Sequence, residues 1–583
     1  MKHKLIILMM ALIGVGIFYA CKKSFLEVNP QGVLDEATLS SEKGLNKLLL
    51  AAYAMLDGHD GALNLGGEWG SGASNFVFGG MGGGEANKGS DPGDQENNMK
   101  NVLRHEYTPT NGALNDRWKA LYEGVKRSNT VLEVLAKVEN LNPESQNNIA
   151  GQARFLRAWY HFQARITYGK PVFMDEQKDI DLALGLIQGV ANDTNIYPAI
   201  LEDAKYAWEN LPRIQDAVGR VNKWTAGALY GKILLFTKDF ATAKTVLTNV
   251  VDSGTNSVGV KFDLNTNYDD NFNVDFDNNK ESVFAFQASS LDNASARNAN
   301  WGDQLNTPSA TGGGGAGFYT PTYFFANKFK TGANGLPVAN PYNNEVYDPF
   351  GQAGFTRYSG SVDPRLDWTI GRDGIPYYDW GTYLTTWPRD KSSGPYAGKK
   401  TMIRAYQVAG THDASIWFVA GGTALNLNLI RFSDVILMAA EAEIEAGTLA
   451  NATALINRVR ARAAGTRRVK TYKNSANPTE GFTDTDAANY NVQPYPGVFA
   501  SQDEARAAVR LERSLELGME GWRFFDLVRW GISGEELNQF YDYESPMPYQ
   551  VLLKPKPVYN EPEDDYYAIP QQQIDLSNGF IKP

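Results

Sequence analysis

Two stretches with helical periodicity flank a long stretch without it, and this order constrains the fold of the 583-residue chain most strongly. Residues 40–250 and 425–530 carry apolar residues at helical spacing among good helix formers. Within the first stretch, a break at 238–239 precedes a second amphipathic run at 241–251. One predicted helix face near this break is formed by Leu229, Ile233, Phe236 and Phe240.

The second helical stretch repeats this layout. Phe432–Ala446 is predicted to form a helix that ends at Gly447. Residues 451–463 are predicted to form the next helix, with Asn451 as its N-cap. A third predicted helix is marked by Ala508, Leu511 and Leu515.

Two helices joined by a short turn, with small residues on their inner faces, are typical of tetratricopeptide repeats. The two pairs, near 226–251 and 429–463, are not in tandem, because a long stretch of different character separates them. We therefore predict a mainly α fold, in which a discontinuous tetratricopeptide-like helical scaffold carries a large irregular, loop-rich insertion with short strands. An irregular all-α domain without true repeats is the alternative.

The predicted insertion, residues 255–425, is rich in Gly, Asn, Asp, Pro and aromatic residues. Between 261 and 420 lie 28 of the 69 Phe, Trp and Tyr residues of the chain. A stretch of this length is too long to be one loop of a compact domain, so we expect it to be substantially ordered. A second loop-like region, 58–98, holds 13 glycines and interrupts the first helices. The predicted division begins with a signal peptide at 1–20. Helical parts at 21–254 and 426–583, with the insertion between them, are predicted to form one compact unit.

The N-terminus has the features of a secretory signal peptide, with a basic start and an apolar run at 5–20. This run is shorter than the ~20 residues that a helix needs to cross a bilayer. Cys21, the only cysteine of the chain, follows directly, and we predict that it accepts a lipid. An ordinary free thiol is the alternative. Because there is no second cysteine, the fold has no intramolecular disulfide and depends on its core.

Charge and motifs exclude several classes of function. The net charge of −11 argues against nucleic acid as a partner, because phosphate binding needs basic patches. The five histidines show no metal-ligand spacing, and no Gly-x-Ser-x-Gly motif occurs. A calcium-like loop that starts at Asp263 has Tyr268 where glycine belongs and Val274 where glutamate belongs. We predict no catalytic residue, no cofactor and no metal site.

Aromatic residues among amide, carboxylate and glycine residues suggest a sugar-binding surface. Flat rings cover the apolar face of a sugar, and polar side chains bind its hydroxyl groups. Residues 68–95 and 363–390 offer this mixture, although Trp368, beside Arg365 and Asp367, is expected in a packed turn. For any single aromatic residue here, the core of the insertion is the alternative. The predicted ligand-binding residues are Trp69, Phe76, Asp91, Trp301, Tyr378, Trp380, Trp387 and Arg389.

Five motifs follow one another along the chain. They are CKKSFLEVNP at 21–30, GQARFLRAWYHF at 151–162, RFSDVILMAAEA at 431–442, ERSLELGMEGWRFFDLVRWG at 512–531 and YAIP at 567–570. The apolar residues of the fourth motif are expected to dock the last helices onto the core, with Glu512, Arg513, Glu516 and Arg529 in ion pairs around them. Together, the five motifs make the chain resemble the SusD/RagB family.

The resemblance implies a function that composition alone does not. Members of this family are surface glycan-binding lipoproteins of Bacteroidetes that pair with a TonB-dependent outer-membrane transporter. By resemblance, we expect a non-catalytic, lipid-anchored protein on the cell surface that binds oligosaccharide or polysaccharide and passes it to a SusC-like transporter. The same fold capturing peptides is one alternative, and a polysaccharide-degrading enzyme is another.

The lipid at Cys21 is tested by the Cys21→Ser variant. Because one thiol is the only candidate acceptor at the cleavage point, we expect the variant to move from the membrane fraction to the soluble fraction. Fractionation is done in cells that lack the transporter partner, with the wild-type chain as the control. A variant that still sediments with membranes contradicts the anchor.

Overall fold

The computed structural model describes residues 39–58, 69–294, 298–300, 302–309, 314–338, 341, 357–413, 415 and 422–583. The predicted signal peptide, the predicted lipidation site Cys21 and the predicted ligand-binding residue Trp301 lie outside these residues. None of the helices in the described ranges combines the length and the apolarity that crossing a membrane requires.

The described chain is mainly α-helical, as the periodicity predicts. Short helical segments lie at Asn101–Leu103, Tyr323–Asn327, Arg365–Thr369, Val408–Thr411 and Gln571–Leu576. The helices of eight or more residues are α1 Glu42–Ala54, α2 Gly112–Leu135, α3 Pro143–Tyr168, α4 Glu176–Ala183, α5 Tyr197–Asn210, α6 Lys223–Phe236, α7 Phe240–Ser253, α8 Phe432–Ala446, α9 Leu449–Gly465, α10 Gln502–Leu517, α11 Arg523–Trp530 and α12 Ser533–Glu544.

Helices α2, α3 and α5–α10 form one continuous array in which each packs against the next. Helix α2 packs on α3, α3 on α5, α5 on α6, and α6 on α7. The array then continues across the insertion, because α7 packs directly on α8, and α8 on α9 and α10. Lys244 of α7 donates a hydrogen bond from Nζ to the carbonyl of Ala446 in α8 (2.6 Å). The two helix pairs are therefore neighbours in space, and the prediction of a discontinuous tetratricopeptide-like scaffold is confirmed.

Two details of the helix prediction are wrong. Helix α9 begins at Leu449, and Thr448 is its N-cap, because Thr448 Oγ1 accepts a hydrogen bond from the backbone N–H of Asn451 (3.2 Å). Phe240 does not share a face with Leu229, because α6 ends at Phe236 and Phe240 opens α7. The predicted break at 238–239 and the end of α8 before Gly447 are confirmed.

The strands are short and pair antiparallel in twos. They are β1 Ala86–Gly89, β2 Ser282–Phe286, β3 Phe318–Pro321, β4 Ile370–Gly371, β5 Ala397–Gly398, β6 Leu427–Arg431, β7 Lys470–Tyr472 and β8 Phe482–Asp486. The pairs are β1–β3, β2–β6, β4–β5 and β7–β8. Since β2 follows α7 and β6 directly precedes α8, the β2–β6 pair closes the base of the insertion beside the helices. The exact boundaries of the predicted domains stay a prediction.

A buried set of charges, the Glu516 cluster, joins the insertion to the scaffold. Glu516 of α10 accepts hydrogen bonds from Arg365 (2.9 Å), from Arg431 at the end of β6 (3.0 Å) and from Arg462 of α9. Burial opposes ionisation of Glu516, but the three guanidinium groups outweigh it and hold its pKa well below the ordinary value. The other members of the cluster are Glu281, Asp363, Lys400, Arg460, Glu512 and Glu520.

The predicted ion pairs of the last helices are confirmed. Arg513 donates to Asp434 of α8 (2.7 Å) and to Asp526 of α11 (2.9 Å). Arg529 donates to Asp526 (2.8 Å) and to Glu441. Glu512 accepts from Arg365 (2.7 Å) in the Glu516 cluster. These contacts fix α8, α10 and α11 to one another.

Replacing Glu516 by glutamine tests the role of the Glu516 cluster. Three buried arginines then lose one carboxylate charge, and breaking a buried pair costs about 3–5 kcal/mol. With an unfolding entropy of about 2.1 cal/mol/K per residue, we expect Glu516→Gln to lower the thermal unfolding temperature by about 2–4 °C. The measurement is thermal unfolding at one fixed scan rate.

Asp503→Asn is the matched control for this variant. Asp503 lies on the same helix, and its side chain is 91% exposed. An exposed ion pair contributes about 0–1 kcal/mol, so the control should unfold close to the wild-type temperature. If both variants unfold at the same temperature, the Glu516 cluster does not hold the insertion to the scaffold.

Candidate functional site

The first of the two predicted binding loops is attached to the insertion by the β1–β3 pair. Ala86 pairs with Pro321 and Gly89 with Phe318, and the backbone N–H of Ser90 donates to the carbonyl of Gly317 (2.7 Å). Gly89 has a φ of 75°, and a Cβ there would lie 2.3 Å from the Gly317 oxygen. Glycine at this position is therefore required by the close approach of the two segments.

A buried lysine holds the turn that follows β1. Lys88 donates from Nζ to the carbonyls of Asp91 (2.7 Å) and Asp94 (2.6 Å). The Asp91 carboxylate oxygen Oδ1 accepts the backbone N–H groups of Gly93 (3.2 Å) and Asp94 (3.1 Å). The turn is thus fixed from inside, and its second carboxylate oxygen, Oδ2, is directed at the insertion.

Asp91 meets Arg389 at this point. The distance from Arg389 Nε to Asp91 Oδ2 is 3.7 Å, and the two side chains are 47% and 45% exposed. Next to this pair, Ser393 donates from Oγ to the carbonyl of Ser90 (2.6 Å). Residues of the two predicted binding regions, almost 300 positions apart in the chain, therefore form one partly exposed polar surface.

The start of the first loop packs on another part of the insertion. Ser74 donates from Oγ to Asp303 Oδ1 (2.5 Å), and burial raises the pKa of Asp303 to about 6. Gly72 lies beside Gly302, where a Cβ on Gly72 would be 3.5 Å from the Gly302 oxygen. Trp69, which precedes this contact, is half-buried. We call the packed set of segments 69–76, 86–95, 302–309, 314–321 and 387–393 the loop junction. Most of these residues are buried, and the exposed part lies mainly at 91–95 and 389–391.

Three of the predicted ligand-binding residues are buried, as in the alternative that places such aromatic residues in the core, and their role in binding stays a prediction. Phe76, Tyr378 and Trp387 are 1%, 5% and 9% exposed. Each ring packs against another aromatic ring of the protein, which leaves little of it exposed. The ring centroids are 5.4 Å apart for Phe76 and Tyr319, 6.3 Å for Tyr378 and Trp368, and 5.2 Å for Trp387 and Tyr383.

Two further tryptophans differ in their placement. Trp380 is half-buried, and its Nε1 donates to the carbonyl of Ile403 (2.8 Å), so one edge of the ring is fixed. Its role in binding stays a prediction. Trp368 is buried and donates from Nε1 to the carbonyl of Arg467 (2.8 Å), which confirms the expected packed turn.

The sequence prediction missed two exposed aromatic residues. Tyr406 is 64% exposed, and Phe482 is 41% exposed. Phe482 lies in the polar segment 480–484, where an isolated aromatic residue is itself a signal of a surface role. Tyr406 follows the buried Arg404, and nothing in its own neighbourhood distinguishes it from a core residue.

The described residues contain no group of three or more His, Cys, Asp or Glu side chains that could hold a metal ion. At the calcium-like loop, Asp263 is engaged by cations of the protein itself. Arg458 donates to Asp263 Oδ1 (2.8 Å), and Lys280 approaches Oδ2 (3.4 Å). The carboxylate at this position is therefore occupied by ion pairs.

Comparisons with known proteins agree with the fold. A model of the SusD family matches residues 280–582, and a model described as "Starch-binding associating with outer membrane" matches residues 85–235. SusD-like protein P25 of Formosa agariphila is 23% identical over 529 residues, which cover 88% of each chain.

Solved structures show the same architecture. A SusD superfamily protein from Bacteroides vulgatus superposes with a TM-score of 0.65 at 20% identity, covering 94% of this chain and 99% of the other. Surface glycan-binding protein A from Bacteroides thetaiotaomicron, solved in complex with laminarihexaose, gives 0.65 at 18% identity, covering 93% and 98%. Because the SusD family model matches more than half of the sequence, the chain belongs to the SusD family.

Proposed function

We propose that this protein binds oligosaccharide or polysaccharide at the loop junction without cleaving it, and delivers it to a SusC-like TonB-dependent transporter in the outer membrane. The main observation behind the proposal is the ion pair of Asp91 and Arg389. It is partly exposed, and its two side chains come from loops in distant parts of the chain. Family membership supports the same function, since a relative of this fold has been solved with laminarihexaose.

The chemistry of the loop junction suits a sugar. Arg389 has five N–H donors in a fixed plane, and the carboxylate of Asp91 is an acceptor, so together they can bind neighbouring hydroxyl groups from opposite sides. At 3.7 Å the two groups are in ion-pair range but beyond hydrogen-bond distance. A hydroxyl group can therefore bridge them without breaking a strong internal bond. The half-buried ring of Trp69 offers an apolar surface at the start of the same loop.

Arg389→Ala tests binding at the loop junction. Hydrogen bonds from a charged group contribute about 1.5–3 kcal/mol, so we expect binding of the best oligosaccharide on a glycan array to weaken by about tenfold or more. Folding should be spared, because an exposed ion pair contributes about 0–1 kcal/mol. Affinity is measured by calorimetric titration of the soluble 22–583 chain, and stability by thermal unfolding.

The matched control is Arg458→Ala. Arg458 is also partly exposed and paired with a carboxylate, Asp263, but it lies on α9 outside the loop junction. Equal weakening by both variants would show that the loss is not specific to the loop junction. Release of new reducing ends from the glycan by the purified chain would contradict the non-catalytic assignment, and tight binding of peptides alone would favour the peptide-capturing alternative.

The transporter partner is tested separately. The proposal of delivery requires a stable complex, and such complexes bury at least about 1,000 Å² of surface. We therefore expect a pull-down of the full chain from native outer membranes to recover a TonB-dependent transporter. The Arg389→Ala chain is the control and should recover the same partner. Recovery of the bait alone would remove the support for delivery and leave binding intact.

A further inference from the structure

A cleft of about 870 Å³ lies outside the loop junction. It is lined by the turn 376–379, by 404–406, by 464–470 at the end of α9 and start of β7, and by 478–482 before and at the start of β8. None of these residues belongs to the loop junction. The volume is in the range of cavities that bind small organic ligands.

Two exposed aromatic rings line this cleft, Tyr406 and Phe482. Two more, Trp368 and Tyr378, line it and are buried against each other, with centroids 6.3 Å apart. Tyr378 has a φ of 53°, a backbone conformation that is rare for a bulky residue and is found where the surroundings enforce it. The cleft therefore has a fixed aromatic floor and two open rings.

Both open rings are held in place by the protein itself. The carboxylate of Asp379 accepts the backbone N–H groups of Ala405 (2.7 Å) and Tyr406 (3.0 Å). The Tyr406 hydroxyl donates to Asp275 (2.5 Å). Fixing a ring before the ligand arrives lowers the entropy that binding would cost.

The ring of Phe482 is supported from below. It is stacked on Tyr472, with centroids 5.1 Å apart and planes 26° apart. The Tyr472 hydroxyl in turn donates to the carbonyl of Tyr378 (2.7 Å). One face of Phe482 is therefore fixed to the cleft floor, while the side chain stays 41% exposed.

The charges that line the cleft are paired within the protein. Asp269 accepts from Arg404 (3.1 Å) and from Arg467 (2.7 Å). Asp486 accepts from Arg468 (2.8 Å) and from Lys470 (2.6 Å). An anionic ligand would have to compete with these carboxylates. Asp379 also lines the cleft, and Asp270 accepts from Arg467, so four carboxylates accompany the four cations. Open aromatic rings beside charges that balance in this way suit a neutral ligand with apolar faces and hydroxyl edges.

We propose that this cleft is a second binding site for neutral oligosaccharide, in which Tyr406 and Phe482 stack on sugar rings and Arg467 and Arg468 bind hydroxyl groups. The inference rests on the proposed glycan-binding function but uses residues separate from the loop junction. Two sites on one chain let a polysaccharide be held at two points, which raises the apparent affinity for long chains above that for short ones.

The test uses calorimetric titration of the 22–583 chain with neutral hexasaccharides, starting with laminarihexaose, and with hexagalacturonate as the anionic comparison. We expect two binding events per wild-type chain with the neutral ligand that binds best. The double variant Tyr406→Ala, Phe482→Ala should lose one event, by at least tenfold in affinity, and keep the other. Tyr406→Phe, which retains the ring, should keep both events.

The control variant is Tyr566→Ala, which removes an aromatic ring about as exposed as Phe482 (38% against 41%). Tyr566 packs against Arg165 of α3 and does not line the cleft. If the double variant binds as the wild type does while Arg389→Ala abolishes binding, the second site is refuted and the proposed function stands. If the double variant abolishes all binding and Arg389→Ala has no effect, the cleft is supported as a binding site and binding at the loop junction is refuted. Stronger binding of hexagalacturonate in the cleft overturns the neutral ligand class, and no binding of any hexasaccharide by the wild type overturns both proposals.

Discussion

The position of the insertion depends on one buried carboxylate, Glu516, and the three guanidinium groups around it. Glu516 lies on α10, and its partners Arg365, Arg431 and Arg462 belong to the insertion, to β6 and to α9. Removing ions from water is costly, and the cost is offset only if every partner is in place. The cluster therefore favours one arrangement of these segments over others. Because Arg365 and Trp368 share one short helical turn, the floor of the cleft is fixed by the same charges.

The helical array and the insertion are built on different principles. The array is held by apolar faces at helical spacing, such as Ala243, Val246, Leu247 and Val250 of α7. In its described residues the insertion has short strands, short helical segments and turns, so it is held by buried charges, by aromatic pairs and by the β2–β6 pair at its base. Loops carried in this way on a rigid scaffold can vary in sequence without disturbing the helices. Binding residues usually lie on such loops.

The sequence was sufficient for the scaffold because helical periodicity is a local signal. It located α7, α8 and α9 to within a few residues and marked three positions of α10, whereas the N-cap of α9 and the placement of Phe240 were wrong. The partial exposure of Asp91 and Arg389 could also be predicted, since polar residues beside proline and glycine tend to be exposed, but their role in binding stays a prediction.

Exposure of the aromatic residues could not be predicted in the same way. Whether Phe76 or Trp387 faces a ligand depends on a second ring, Tyr319 or Tyr383, and the pairing of Phe76 joins positions that are distant in the chain. Phe482 becomes a surface ring only because Tyr472 covers its other face. Composition identifies an aromatic-rich segment, but the fold decides which face of each ring is covered.

The packing of α7 against α8 has a consequence for how the chain is made. As synthesis proceeds from the N-terminus, α1–α7 can form early, but the neighbour that covers α7 is encoded only after the whole insertion. Until α8 emerges, the apolar side of α7 that α8 covers stays uncovered, and contacts of such long sequence separation form slowly. An incomplete chain is therefore prone to aggregation at this helix, and only the folding of the C-terminal helices protects the N-terminal ones from it.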